Sequence, residues 1–334
     1  MKTKKVKVYW FLRGGIAMEK SKRMLLLVNP CSGKKAAQSV LLPIVDQLNK
    51  SGWRVEVRIT QSRGDASKIA SMAEGYFDRI TAVGGDGTLN ELISGVAGWN
   101  TLPDIGYIPL GTTNDFASTL GFPKDPVEAA KTAAEGEPFV CDIGRFGERY
   151  FAYIAAFGAF TDVAYSTDQL AKNIFGRLAY LFQGALELSS LQQGQHMKVV
   201  TEKETIEDDF IFGGVSNSLS IGGFKGLLTG DIYLDDGWLE LLLVRQPKSM
   251  VQLHELVTAL LSQQFTGANG IYFLKVRSAE FICDHPVAWT LDGEDGGERE
   301  RVTVQCVPGA VSFSVGARDP ELSLGDLTEP VTGT

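Results

Sequence analysis

Three short apolar runs each end in a loop of glycine and small polar residues. Residues 24–28 enter NPCSGK, residues 79–83 enter GGDGT, and residues 105–109 enter GTTND. Continuous apolar runs of this length suit strands buried on both faces of a parallel sheet. The spacing between them predicts a helix over Ala36–Lys50, closed by Gly52, an alternating strand over 53–60, and helices over 65–75 and 89–96. Strands alternating with helices mean a parallel α/β sheet with right-handed crossovers. Ligands of such sheets bind at the carboxyl ends of the strands, and all three loops lie there.

After about Val140 the texture changes. Strand-like runs follow one another at 150–156, 196–201, 210–215, 232–233, 238–244, 271–276, 280–283, 302–305 and 310–315, with Gly-, Asp- and Asn-rich turns between them. That pattern predicts an antiparallel β-sandwich. Two helices are expected to interrupt it, at 169–191 and 249–264. The organisation expected is therefore an extension (1–23), an α/β half (24–140), a β-rich half (141–317) whose last strands are free to return to the first half, and an acidic tail (318–334). The extension carries eight basic residues against one acid and reads as a disordered arm or a mis-set start.

Apolar residues make up 44% of the chain, which excludes wholesale disorder. No run approaches the roughly 20 apolar residues that a spanning helix needs. A formal net charge of −8 argues against non-specific nucleic-acid binding, so no nucleic-acid partner is expected. Cys31, Cys141, Cys283 and Cys306 lie far apart without a CxxC pair, and read as reduced thiols of a cytoplasmic protein.

Each glycine loop has a chemical and a plain structural reading. In Gly84-Gly85-Asp86-Gly87-Thr88, glycines would let phosphate oxygens reach backbone N–H groups at a helix N-terminus. A tight strand–helix turn with an Asp cap explains the same residues. NPCSGK is a plain turn in isolation and a second wall of a nucleotide pocket beside GGDGT. Gly111-Thr112-Thr113-Asn114-Asp115 mixes the hydroxyl, amide and carboxylate groups of a phosphate–metal site, or caps a helix. In the β-rich half, Asp235-Asp236-Gly237 is a hairpin turn or a metal site. Leu291-Asp292-Gly293-Glu294-Asp295 is a solvated turn, or supplies the carboxylate that takes an acceptor hydroxyl's proton. The 169–191 helix has one apolar face, which covers the sheet or admits acyl chains.

NPCSGK, GGDGTLNE, GTTNDFA, LDDGWLEL and LDGE, in this order, resemble the bacterial soluble diacylglycerol kinase and lipid kinase family from about Met24 to Val315. The resemblance implies a phosphofructokinase-like α/β nucleotide domain and a β-sandwich domain, with ATP in the cleft between them and Mg2+ required. It places nucleotide contacts on Asn29, Pro30, Cys31, Ser32, Gly33, Thr60, Gly85, Asp86, Gly87, Thr88, Leu89, Asn90, Glu91 and Thr112, with Asp115 beside them. A structural Mg2+ falls on Asp236 with the main-chain oxygens of Tyr233 and Trp238, and the proton acceptor falls on Glu294 or Asp292. Leu227-Leu228-Thr229-Gly230 departs from the family's Pro-x-Ala step before the DDG turn. The activity implied is transfer of the γ-phosphoryl of ATP to a lipid hydroxyl, diacylglycerol to phosphatidic acid first. The enzyme would be cytoplasmic and would touch the inner face of the membrane transiently, with a homodimer left open. The runners-up are an NAD kinase, which shares GGDGT, and a non-catalytic nucleotide- or lipid-binding regulator.

Overall fold

The structure, a computed structural model, describes residues 22–111, 114–158, 194–217, 234–262, 265 and 267–316. The expected 169–191 helix, Thr112, the 232–233 run with Tyr233, the acidic tail, and the extension up to residue 21 lie outside the described residues.

Strands β1 (Arg23–Val28), β2 (Arg54–Ile59), β3 (Arg79–Gly84) and β4 (Asp104–Pro109) pair in parallel in the order β2-β1-β3-β4. Apolar side chains on both faces of β1 explain its central place. Leu25 and Leu27 pack against α2 (Asp65–Ser71), α3 (Asp86–Val96) and α4 (Asp115–Leu120). Met24, Leu26 and Val28 pack against α1 (Ala36–Lys50) and α5 (Pro126–Glu135). Burying each of these leucines is worth about 1.5–3 kcal/mol over leaving it in water.

The second half contributes β5 (Glu137–Phe146), β6 (Arg149–Phe151), β7 (Ile154–Gly158), β8 (Gln195–Thr201), β9 (Thr205–Ser216), β10 (Leu239–Arg245), β11 (Ile271–Val276), β12 (Ser278–Leu291) and β13 (Glu294–Val315). Among themselves these strands pair antiparallel. Ser312 and Phe313 of β13 pair in parallel with Asp104 and Ile105 of β4, so one sheet runs from β2 to β11. The runs at 302–305 and 310–315 are one strand. Val307-Pro308-Gly309 reads as a turn in sequence, but the register shifts between Val307 and Val311, with Gly309 at φ 57°. The boundary set at 140 falls within β5, which crosses between the halves along β13.

Two further features shape the second half. Gly158 pairs with Phe212 and Gln195 with Phe210, so β7 and β8 lie end to end in one slot between β9 and β12. Trp289 centres an aromatic core with Phe146, Phe157 and Phe281, at ring separations of 5.0, 4.8 and 5.0 Å. Helix α6 (Met250–Ser262) covers the other face, placing Leu253, Leu256 and Leu260 against Leu242, Val244 and Ile271. Among the described residues, no helix is long and apolar enough to cross a membrane.

Candidate active site

One wall of the candidate site is made where β1, β2 and β3 end. Asn29 sits at the centre: its N–H donates to Val83 O (3.0 Å), its amide to Thr88 Oγ1 (3.2 Å), and its Oδ1 accepts from Cys31 N (3.0 Å). The last bond is an Asx turn, which folds NPCSGK back toward β3. Gly85 is extended, and its carbonyl accepts from Thr88 N and Leu89 N, so α3 begins at Asp86 rather than at Leu89 as expected. Of the three glycines of GGDGT, Gly84 ends β3, Gly85 caps the helix and Gly87 lies in its first turn. A Cβ on Gly111 would lie 2.6 Å from Gly85 Cα, so the two loops meet at a distance only glycine allows. Asn114, at φ 50°, clasps Gly111 through a pair of 2.8 Å bonds to its N–H and carbonyl.

The other wall is the β12–β13 turn. Asp292 (φ 50°) and Gly293 (φ 81°) form its two central residues, with Leu291 and Glu294 paired on either side. Positive φ at both positions makes it a primed hairpin turn, which Asp-Gly favours. The two carboxylates of the turn have different surroundings. Asp292 accepts from Ala152 N, Tyr153 N and Ile154 N, each at 2.8 Å, and from Asn90 Nδ2 at 2.5 Å. These N–H groups belong to the break between β6 and β7, where the sequence predicts one strand over 150–156. Burial pushes the Asp292 carboxyl up, and the four donors pull against it. Glu294 faces the first wall. Its Oε2 is ion-paired with Arg63 Nη2 at 2.6 Å, and a Cβ on Gly87 would lie 2.6 Å from its Oε1.

Between the walls is a cleft of about 480 Å3. Of the expected residues, Asn29, Pro30, Cys31, Ser32, Thr60, Gly85, Gly87, Thr88, Glu91 and Glu294 line it. Both carboxylate oxygens of Glu91 are engaged, accepting from Gly64 N (2.7 Å) and Ala66 N (3.1 Å) at the start of α2. Leu89 is buried in the core beneath, and Asn90 turns to Asp292 and Tyr150 O. Gly33 (φ 59°) lies in the 3-10 turn Ser32–Lys35, Asp86 accepts from Phe116 N at 3.4 Å, and Asp115 opens α4. Gln61, Ser62 and Arg63 also line the cleft, and the sequence motifs miss them. Their loop follows β2, so the strand-end rule reaches it, but its single glycine, Gly64, stands at the start of α2 and no glycine-rich cluster marks the loop.

The Asp235-Asp236-Gly237 turn lies apart from the cleft lining. Asp236 Oδ2 is ion-paired with Lys275 Nζ at 2.9 Å, and its Oδ1 accepts from Trp238 N at 3.0 Å. Arg277 stacks over the Trp238 ring at 4.5 Å. Buried Asp142 ties this turn to β13 by accepting from Gly237 N (2.6 Å) and Gly309 N (2.7 Å); burial pushes its carboxyl up. Among the described residues, no three His, Cys, Asp or Glu side chains group as a metal site. A divalent cation at Asp236 requires Lys275 to leave the carboxylate.

The chain is similar to known proteins in sequence and in fold. Residues 23–146 match the family model described as the diacylglycerol kinase catalytic domain. The diacylglycerol kinase of Staphylococcus saprophyticus is 31% identical over 278 residues, covering 83% of this chain and 90% of that one. That of Bacillus subtilis is 32% identical over 284 residues, covering 83% and 91%. A solved structure of a putative diacylglycerol kinase from Bacillus anthracis superposes with a TM-score of 0.73 at 23% identity, covering 92% of this chain and 99% of that one, and shows a shared fold. Fold and sequence together define an enzyme of the lipid kinase class. The chain belongs to the diacylglycerol kinase family.

Proposed function

We propose that this enzyme transfers the γ-phosphoryl group of ATP to a lipid hydroxyl, with diacylglycerol as the first acceptor to test. The nucleotide would lie in the cleft, its phosphates against the loops after β1 and β3 and the N-terminus of α3, where backbone N–H groups and the helix dipole favour anions. In the reaction the acceptor oxygen bonds to the γ-phosphorus, the bond from that phosphorus to the bridging oxygen of ADP breaks, and the acceptor's proton leaves.

Glu294 is the proton acceptor in this reading, and Asp292 positions the turn that carries it. The observation that carries the proposal is the placement of Glu294. It comes from the β12–β13 turn, yet its carboxylate touches Gly87 in the first turn of α3. A carboxylate in that place can take a proton from a hydroxyl aligned with a phosphate at the helix terminus. Asp292, engaged by four donors, has little capacity left for that role.

Mg2+ would enter with ATP and neutralise its phosphates. A structural Mg2+ on Asp236, with the main-chain oxygens of Tyr233 and Trp238, belongs to the proposal as an exchange with the Lys275 ammonium. No step above depends on it. Division into a phosphofructokinase-like domain (24–140) and an acceptor domain (141–317), and transient contact with the inner membrane face, belong to the same proposal. The names of the relatives support the choice of diacylglycerol. The test is transfer of radiolabel from [γ-32P]ATP to a panel of hydroxyl lipids, with and without Mg2+. Labelled phosphatidic acid is the expected product; no labelled lipid from any member of the panel would overturn the reading.

A further inference from the structure

Arg63 is the one basic side chain among the described residues that line the cleft. Its loop is pinned at both ends. Gln61 N and Ser62 N donate to Asp65 Oδ2 at 2.7 and 3.1 Å, while Gly64 N and Ala66 N donate to the Glu91 carboxylate. With the main chain held, only the torsions of the Arg63 side chain remain to be changed. That side chain is 63% exposed, so its ion pair with Glu294 costs little to rearrange.

The Glu294 carboxylate lies between the Arg63 guanidinium and Gly87, at the first turn of α3. Arg63 therefore holds an anionic group, the Glu294 carboxylate, beside the start of α3, where the helix dipole also favours negative charge. A phosphate can accept from the same guanidinium, which has five N–H groups to divide between two acceptors.

We infer that Arg63 is the residue that recognises the terminal phosphate of a nucleoside triphosphate in this cleft, sharing its guanidinium between that phosphate and Glu294. The inference rests on the nucleotide reading of the cleft. Arg63 makes and breaks no bond in the reaction. It places positive charge on the phosphoryl oxygens as they pass from ADP to the acceptor, and holds Glu294 beside them. It therefore distinguishes a triphosphate from a diphosphate and contributes to kcat.

The experiment compares the full-length parent with Arg63→Ala, Arg63→Lys and Glu294→Gln. Affinities for MgADP and for a non-hydrolysable MgATP analogue are measured by calorimetry, and lipid phosphorylation by kcat and KM. Arg63→Ala should reduce the preference for the analogue over ADP by about tenfold or more, leaving ADP affinity within about twofold. It should lower kcat by about a hundredfold. Arg63→Lys should restore part of the preference, because a point charge replaces the fork incompletely. An unchanged preference in Arg63→Ala overturns the inference, as does an equal loss for both nucleotides. If Glu294→Gln is inactive while Arg63→Ala matches the parent, the Arg63 assignment fails and the kinase reading stands. If Arg63→Ala loses the preference but the parent labels no lipid, the lipid reading fails and the Arg63 assignment stands.

Discussion

Asn90, in the second turn of α3, donates its side-chain amide to Asp292 Oδ2 at 2.5 Å, joining residues 202 positions apart. The same carboxylate takes the three N–H groups that break β6 from β7. Asp292 thus fixes where the turn lies against α3, and so where Glu294 enters the cleft. Removing the amide in Asn90→Ala should cost about 1–3 kcal/mol in urea unfolding. Asp292→Asn should destabilise the protein measurably, since one acceptor oxygen is lost beneath these donors. Glu294→Gln should leave the unfolding midpoint close to the parent's. Equal destabilisation by Asp292→Asn and Glu294→Gln would remove the distinction between the two carboxylates.

A pH dependence follows from the burial of Asp292. Burial raises its carboxyl in the folded chain, so the folded state holds the proton to a higher pH than the unfolded state does. Across that window the folded state binds more protons. Its stability therefore falls as pH rises from the ordinary aspartate range, about pH 4, through the raised value. Asn at this position has no such slope. Melting temperatures from pH 4 to 7 should show the parent's advantage over Asp292→Asn greatest at the acid end and shrinking upward. An advantage that grows with pH would mean that the four donors outweigh burial.

Lys275 makes the metal question at Asp236 measurable. If Mg2+ exchanges with the ammonium on Asp236 Oδ2, millimolar Mg2+ should raise the melting temperature of the parent, but by less than it raises that of a variant without the competitor. Lys275→Met removes the competitor and leaves the carboxylate without its cation. This variant should melt lower without metal and recover part of the loss in millimolar Mg2+. If Mg2+ leaves the variant's melting temperature unchanged, Asp236 belongs to a turn held by a lysine and the metal assignment is withdrawn.

The parallel strands and their loops were legible because each signal is local: a buried run, then glycines, then helical spacing. The three features the sequence hid depend on distant partners. β13 carries Pro308 and Gly309, which separate the runs 302–305 and 310–315 until the strand is seen paired with β5 on both sides of them. The split at Ala152 and Tyr153 is invisible without Asp292, and Arg63 gains its meaning only beside Glu294, 231 residues away. Motif matching also gave Leu89 the same weight as its neighbours, whereas its side chain packs into the core under the loop. Leu89→Ala should cost about 2–5 kcal/mol of stability. Its nucleotide affinity, measured where the variant is folded, should stay near the parent's. A selective loss of nucleotide binding at full stability would return Leu89 to the site.

In the proposed reaction Glu294 takes the acceptor hydroxyl's proton, while other residues of the cleft hold the triphosphate beside it. Glu294→Gln keeps the shape of the side chain and removes its basic oxygen. The deciding measurement is single-turnover phosphorylation of diacylglycerol by the full-length parent and this variant, alongside calorimetric binding of a MgATP analogue. The expected rate for the variant is at least about a hundredfold lower, with analogue affinity within a few-fold of the parent's. A variant that phosphorylates the lipid at the parent's rate would contradict this role of Glu294.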